Sequence, residues 1–235
     1  NWVDSKTLEF DLRKGVTFHN GEKFDADDVV YTLTYISNPE NGAKPARNVN
    51  WWDSAEKLGD YKVRLNLTKE FPAALEFLSG PIVMYPNEYY AEVGPEGMAM
   101  KPVGTGPYAV TSVEPGKRYK FKKNDNYHAS SPKGQANIGN IVIRTIAESN
   151  TQLAELFSGG VDWIWKVKPD QAQRISAQGQ FTVKNASTMR IGYLNFDAMG
   201  RHSENPMNDV RVRRAIAHAI DRESIVNALV GGESI

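Results

Sequence analysis

The sequence predicts an α/β protein, and two patterns carry that expectation. Segments that alternate apolar and polar residues, the mark of half-buried strands, interleave with segments whose apolar residues recur at helical spacing. Gly, Pro, Asn and Asp punctuate the junctions between them. At 235 residues the chain exceeds the common single-domain size of about 100–150 residues. More than one compact unit is therefore expected.

The elements follow in order along the chain. Asn1-Trp2-Val3-Asp4 opens in strand pattern. A strand through Phe10 to Leu12 meets a turn at Arg13-Lys14-Gly15, a second strand through Val16 and Phe18, and a turn at Asn20-Gly21. Asp25 can cap a helix, and the charge of Asp28 favours its start. Val29, Val30, Leu33 and Ile36 then share one face, and Asn38-Pro39 stops the helix. Residues 40–50 read as a polar loop. Tyr61, Val63, Leu65 and Leu67 alternate with Lys62, Arg64 and Asn66 as a half-buried strand. Pro72 begins a short helix through Ala74, Leu75, Phe77 and Leu78, ended by Gly80-Pro81.

Residues 94–107 are rich in Gly and Pro, lack periodicity and predict a boundary. Beyond them Tyr108 to Thr111 and the region of Tyr119 and Phe121 read as strands. Ile141-Val142-Ile143 suits an inner strand. A helix is expected over Thr151–Ser158 with Gly159 at its end, and another over Pro169–Ala177 closed by Gly179. Strands are expected over Val161–Trp165, Phe181–Lys184 and Arg190–Phe196. Asp209 caps a helix carrying Val210, Arg213, Ala217 and Ile220, and Asp221 begins a second with Ile225 and Leu229. Two helices with no following strand do not close a domain, and both ends look cut, so the chain reads as an internal fragment.

Composition narrows the function classes. Lys plus Arg equals Asp plus Glu, 28 each, for a formal charge of zero. A nucleic-acid binder concentrates positive charge against phosphates, so this balance argues against one. The absence of cysteine removes disulfides, thiolate catalysis and cysteine-ligated metals. No apolar run reaches the roughly 18 residues of a membrane span, and no leader pattern is visible.

Motifs for chemistry are weak. Gly104-Thr105-Gly106-Pro107-Tyr108-Ala109 mimics a dinucleotide fingerprint, but Pro107 lacks an N–H and a strand follows where a helix is needed. His19, His128, His202 and His218 lack metal-ligand spacing, and neither a metal nor a cofactor is expected. No serine elbow occurs. Asp25, Asp27 and Asp28 crowd a helix start, where the macrodipole stabilises them without catalysis. The aromatics say more. Trp51 and Trp52 follow a polar loop, Trp163 and Trp165 share one face of an expected strand, and Tyr193, Asn195 and Asp197 share one face of another. Indoles and phenols beside amide and carboxylate groups compose ligand clefts. Trp52, Trp163, Trp165, Tyr193, Asn195 and Asp197 are thus the candidate ligand-binding residues.

Several separated motifs resemble the family-5 extracytoplasmic solute-binding proteins, which include oligopeptide, dipeptide and nickel binders. They begin with Phe10-Asp11-Leu12-Arg13-Lys14-Gly15-Val16-Thr17-Phe18-His19-Asn20-Gly21, continued to Tyr31, and Tyr61-Lys62-Val63-Arg64-Leu65. Pro102-Val103-Gly104-Thr105-Gly106-Pro107-Tyr108, Lys123-Asn124-Asp125-Asn126-Tyr127 and Phe157-Ser158-Gly159-Gly160-Val161-Asp162 follow. Tyr193-Leu194-Asn195-Phe196-Asp197 and Asp209-Val210-Arg211-Val212-Arg213-Arg214-Ala215-Ile216 complete the ordered set.

The resemblance implies a mixed α+β small domain plus part of a periplasmic-binding-protein type II lobe. Residues 1–103 would be the family's small extra domain, 104–207 the middle part of the first ligand-binding lobe, and 208–235 the opening helices of the second. It implies a non-enzymatic, extracytoplasmic component of an ABC importer that hands a small ligand to the membrane permease. Peptides lead the ligand classes, ahead of opines, sugars and metal chelates. The competing expectation is a carboxylate-dependent hydrolase acting on a peptide or glycoside. Two positions depart from the family pattern: Asp197 stands where Asn is usual, and Trp165 where smaller residues are common.

Overall fold

The computed structural model describes residues 1–42, 46–80, 82–186 and 192–230. Pro81, Arg190, residues 43–45 of the polar loop, residues 231–235 and the side chain of Leu229 lie outside the described residues. The chain divides into two compact units, Asn1–Thr145 and Ile146–Ile235.

In the first unit, β1 (Trp2–Asp4), β2 (Thr7–Asp11), β3 (Trp52–Gly59) and β4 (Lys62–Leu67) form an antiparallel sheet in the order β1-β2-β4-β3. The period of two in β4 shows directly in its burial. Val63, Leu65 and Leu67 point into the core, while Lys62 and Arg64 stay half-exposed. Those two cations converge on Glu9 of β2, with contacts of 2.8 Å from Lys62 and 2.6 Å from Arg64. Glu9 and Arg64 face each other in the β2–β4 ladder, where opposite charges stabilise the pairing.

Helix α1 (Ala26–Ser37) begins as its aspartates predict. The Asp25 side chain accepts the N–H of Asp27, and Asp28 returns a hydrogen bond from the Asp25 N–H at 2.9 Å. The other Asp28 oxygen accepts the N–H of Asn87 at 2.9 Å. Asn87 opens α3 (Asn87–Met100), so one buried carboxylate serves two helix starts. Burial pushes the Asp28 pKa up even though both oxygens are hydrogen-bonded. Val29 and Leu33 of α1 join Leu8, Trp51, Trp52, Val63 and Leu65 in the core. A short α2 (Ala74–Ser79) adds Ala74 to it.

Trp52 is a correction to the sequence expectation. It is 3% exposed, its ring meets Trp51 edge-on at 4.8 Å, and its N–H reaches the Leu33 carbonyl. It is a core residue, because the polar segment after it is β3 rather than a loop margin. A second difference lies at residues 94–107. Helix α3 runs through Gly94 (φ 66°) and Pro95 to Met100. Glycine breaks one helical stretch with a positive-φ, extended backbone that only it adopts freely, and proline, with φ already helical, restarts the next.

The other sheet of this unit is the antiparallel meander β5 (Tyr108–Glu114), β6 (Arg118–Lys123) and β7 (Asn140–Arg144). Ile141-Val142-Ile143 therefore lies on an edge strand, not an inner one, with Val142 and Ile143 exposed. His19 ties this sheet's leading loop to the turn closed by the isolated bridge between Thr17 and Lys23. Its backbone N–H donates to the Gly104 carbonyl at 2.9 Å. Ring Nδ1 accepts the Gly104 N–H at 3.3 Å and Nε2 bonds the Gly106 carbonyl at 2.9 Å. Since Nδ1 accepts, the proton sits on Nε2. These bonds help to explain why residues 104–145 group with the first segment.

The second unit holds α4 (Ser149–Phe157), α5 (Pro169–Ala177), α6 (Val210–Ala219) and α7 (Arg222–Ile225), which continues as a π turn over Val226–Val230. Leu153, Leu156 and Ile175 form its core, with Val161, Ile164, Val167, Phe181 and Val183 packed against them. Asp209 caps α6 through the Arg211 N–H, and Asp221 caps α7 through the Ser224 N–H. The strands expected over Val161–Trp165 and Phe181–Lys184, and the described part of Arg190–Phe196, have no ladder partner among the described residues. Val161, Ile164, Phe181 and Val183 of the first two pack on the α4–α5 core instead.

Two outcomes test this fold. Trp52→Ala removes a fully packed indole and should cost about 3–5 kcal/mol in a denaturant titration; a loss of about 1 kcal/mol or less would place the ring outside the core. For Glu9, hydrogen bonds from Lys62 and then Arg64 hold the carboxyl below its ordinary 4.5. A depressed folded pKa contributes stability that is present above the unfolded value and lost as pH falls through the folded one. The melting-temperature gap between wild type and Glu9→Gln should thus be widest at neutral pH and close on acidification below 4.5.

Candidate functional site

The site begins with how residues 161–167 attach to the second unit. Val161, Ile164 and Val167 pack on the α4–α5 core. Every third residue is an anchor, so the residues between them must point elsewhere. Trp163 is 74% and Trp165 65% exposed. Their rings lie 5.7 Å apart, inclined at 58°, and form an open wedge of two indoles.

Lys166 completes the wedge. Its ammonium lies 5.6 Å from the centre of the Trp165 ring, within the range of a cation–π contact. Its backbone has φ 58°, and among the described residues no other non-glycine residue has positive φ. That conformation costs a side-chain-bearing residue roughly 1–2 kcal/mol, and such strain gathers at binding and catalytic sites. The turn it makes brings Val167 back to the core after two outward positions.

Tyr193 and Asn195 are exposed, Tyr193 to 75%, and among the described residues Tyr193 makes no ring contact with either tryptophan. Asp197 is half-buried. Its carboxylate faces Arg201 at 3.5 Å and accepts the Met199 N–H at 3.4 Å. Its carbonyl accepts the Asn205 side-chain amide at 2.9 Å. Of the sequence candidates, then, the structure brings together Trp163 and Trp165, gives Asp197 a basic neighbour and withdraws Trp52 into the first unit's core.

Sequence reasoning missed Lys166. Its only signal was the residue's place directly after Trp165, because a left-handed lysine is invisible to pattern. It also missed an apolar groove of about 580 Å³ in the first unit, lined by His19, Tyr85, Tyr90, Met98, Val103 and Tyr108 among others. That groove offers little to a polar ligand. Both His19 ring nitrogens are taken by backbone. The Tyr90 phenol is pushed up to about 12 by burial, with hydrogen bonding to Tyr35 adding to the effect. Among the described residues no cluster of three or more His, Asp or Glu gathers as metal ligands. No described helix is long and apolar enough to cross a membrane.

Residues 2–235 match the family of bacterial extracellular solute-binding proteins, family 5 Middle. The dipeptide-binding protein of Escherichia coli K12 is 23% identical over 254 residues, covering 99% of this chain and 46% of its own length. A glutathione-binding protein of Pectobacterium atrosepticum is 26% identical over 230 residues, covering 97% and 43%. Among solved structures, a solute-binding protein of A. tumefaciens R10 in complex with mannopinic acid superposes with a TM-score of 0.75 at 26% identity, covering 96% of this chain and 44% of its own. The chain thus spans less than half the length of the proteins it matches.

Lys166→Gly offers a direct check on the strained turn. Glycine adopts positive φ freely, so the variant should gain about 0.5–1 kcal/mol of stability, net of the flexibility glycine adds to the unfolded chain. A loss of stability would mean that the Lys166 side chain supports the fold itself.

Proposed function

The chain belongs to the family-5 bacterial extracellular solute-binding proteins, and from that premise we propose that it supplies one wall of the ligand cleft of an ABC importer's binding component. The whole protein captures a small ligand outside the cytoplasmic membrane and presents it, unchanged, to the membrane permease. Peptides are the leading ligand class, supported by relatives named for dipeptide and glutathione binding; an opine-type ligand is the next, supported by the mannopinic acid complex. Residues 1–103 act as the small extra domain, 104–207 as part of the first ligand lobe and 208–235 as the start of the second. Trp163, Trp165, Tyr193, Asn195 and Asp197 face the cleft.

The observation that carries this proposal is the wedge of two indoles held outward by a core-anchored segment. Large apolar rings left in solvent from a fixed base mark binding surfaces, and ring stacking grips a ligand without acting on its bonds. Closure of two lobes around the ligand then requires that it bind the closed form more tightly than the open one.

Denaturing the natively purified protein and identifying the released small molecules by mass spectrometry tests this role. The expected result is an intact ligand in stoichiometric amount, with Trp165→Ala lowering its affinity roughly tenfold or more. Recovery of cleaved products with multiple turnovers would instead make the protein a hydrolase.

A further inference from the structure

We infer that the ligand carries a planar ring beside an anionic group, the ring packing on the Trp163–Trp165 wedge and the anion meeting the Lys166 ammonium. The inference rests on the proposal that this wedge faces the ligand, and it adds a specificity-determining residue and a ligand chemistry to it.

Three observations converge. The indoles are mutually inclined at 58° with their centres 5.7 Å apart, too close and too oblique to enclose a third ring between them. A planar group packs instead on an outer face or in the mouth of the wedge, at the offset or edge-on distances aromatic pairs prefer. Next, Lys166 is exposed, and among the described residues no carboxylate lies within ion-pair distance of it. Its charge is steered by the Trp165 ring and remains available to an incoming anion. The stacked indole also keeps water from one side of the ammonium, which strengthens a charge-assisted hydrogen bond.

The third observation is the backbone. At φ 58° a glycine would make the same turn without steric cost. A lysine there retains strain for the sake of its side chain, and that side chain's contact is with the wedge. Asp197 does not compete for this role, since its carboxylate faces Arg201.

Three peptides separate the parts of the inference: Gly-Phe, Gly-Phe amide and Gly-Ala, titrated against the full protein by calorimetry. Gly-Phe should bind about tenfold tighter than either of the others, as expected for one lost charge-assisted bond or one lost ring contact. Lys166→Gln should erase the preference for acid over amide, and Lys166→Arg should keep it. Gln and Lys strain the left-handed backbone alike, so a misfolded variant would show in the circular dichroism spectrum. Equal binding of all three peptides, or a Lys166→Gln variant that still prefers the acid, overturns the inference and leaves the carrier role standing. Failure of all three to bind overturns the peptide-carrier proposal, and this inference with it.

Discussion

The attachment of Val161, Ile164 and Val167 to the α4–α5 core is the constraint from which the site follows. An alternating segment with the same residues would set Val161, Trp163 and Trp165 on one face, and the two indoles would be buried or exposed along with the valine. Anchoring at every third position breaks that link. It spends the small aliphatic side chains on the core and leaves both indoles outside. The cost falls on Lys166, whose left-handed backbone closes the outward excursion. Exposure, ring contact and strain are thus three consequences of one packing choice.

The first unit uses its charged and polar groups differently. Glu9 is held by Lys62 and Arg64, Asp28 caps two helix starts, and His19 is bonded at both ring nitrogens to the loop of Gly104 and Gly106. Lys57 bridges to Asp27 at 2.8 Å. Each of these groups is satisfied by a neighbour, and no buried side-chain polar atom among the described residues is left unpaired. Buried or partnered groups of this kind fix a geometry. They support the fold, as the helix-start reading of Asp25 and Asp28 implied.

Much of this was legible in the sequence, and the failures have specific causes. Asp25, Asp28, Asp209 and Asp221 marked their helices because capping is local, set by a side chain and an N–H two or three residues away. The expected helix over Pro169–Ala177 matches residue for residue without a side-chain cap, because Pro169 at its start and Gly179 just past its end are equally local signals. Helix α3 was hidden because Gly94-Pro95 reads as loop punctuation, although one ends a helix and the other starts one. Trp52 was misplaced because β3 is mostly polar outside its first residue, so its strand character comes from pairing with β4 rather than from pattern. The expected strand at Val161–Trp165 failed because alternation cannot distinguish a ladder from a segment packed on helices at every third residue. Trp163 and Trp165 were singled out by their chemistry; the positive φ of Lys166 is backbone geometry that no residue pattern encodes.

The character of the exposed groups also bears on the role proposed for this site. A carboxylate beside Lys166 would lock the ammonium into an ion pair, and a ligand would then have to displace it. An indole face holds the same cation through its quadrupole at a smaller cost to replace. Under the proposed reading, a ligand's anion would add to the Lys166–Trp165 contact instead of competing with it, and would leave without stranding a buried charge. Stacking surfaces behave alike, since they gain from contact area and lose it smoothly. A carrier that must both capture and surrender its passenger needs this balance: contacts numerous enough to select a closed state, each weak enough to be undone when the partner membrane protein favours the open one. In the proposed role, Trp163, Trp165 and Lys166 would supply that balance from a segment held by a small apolar core.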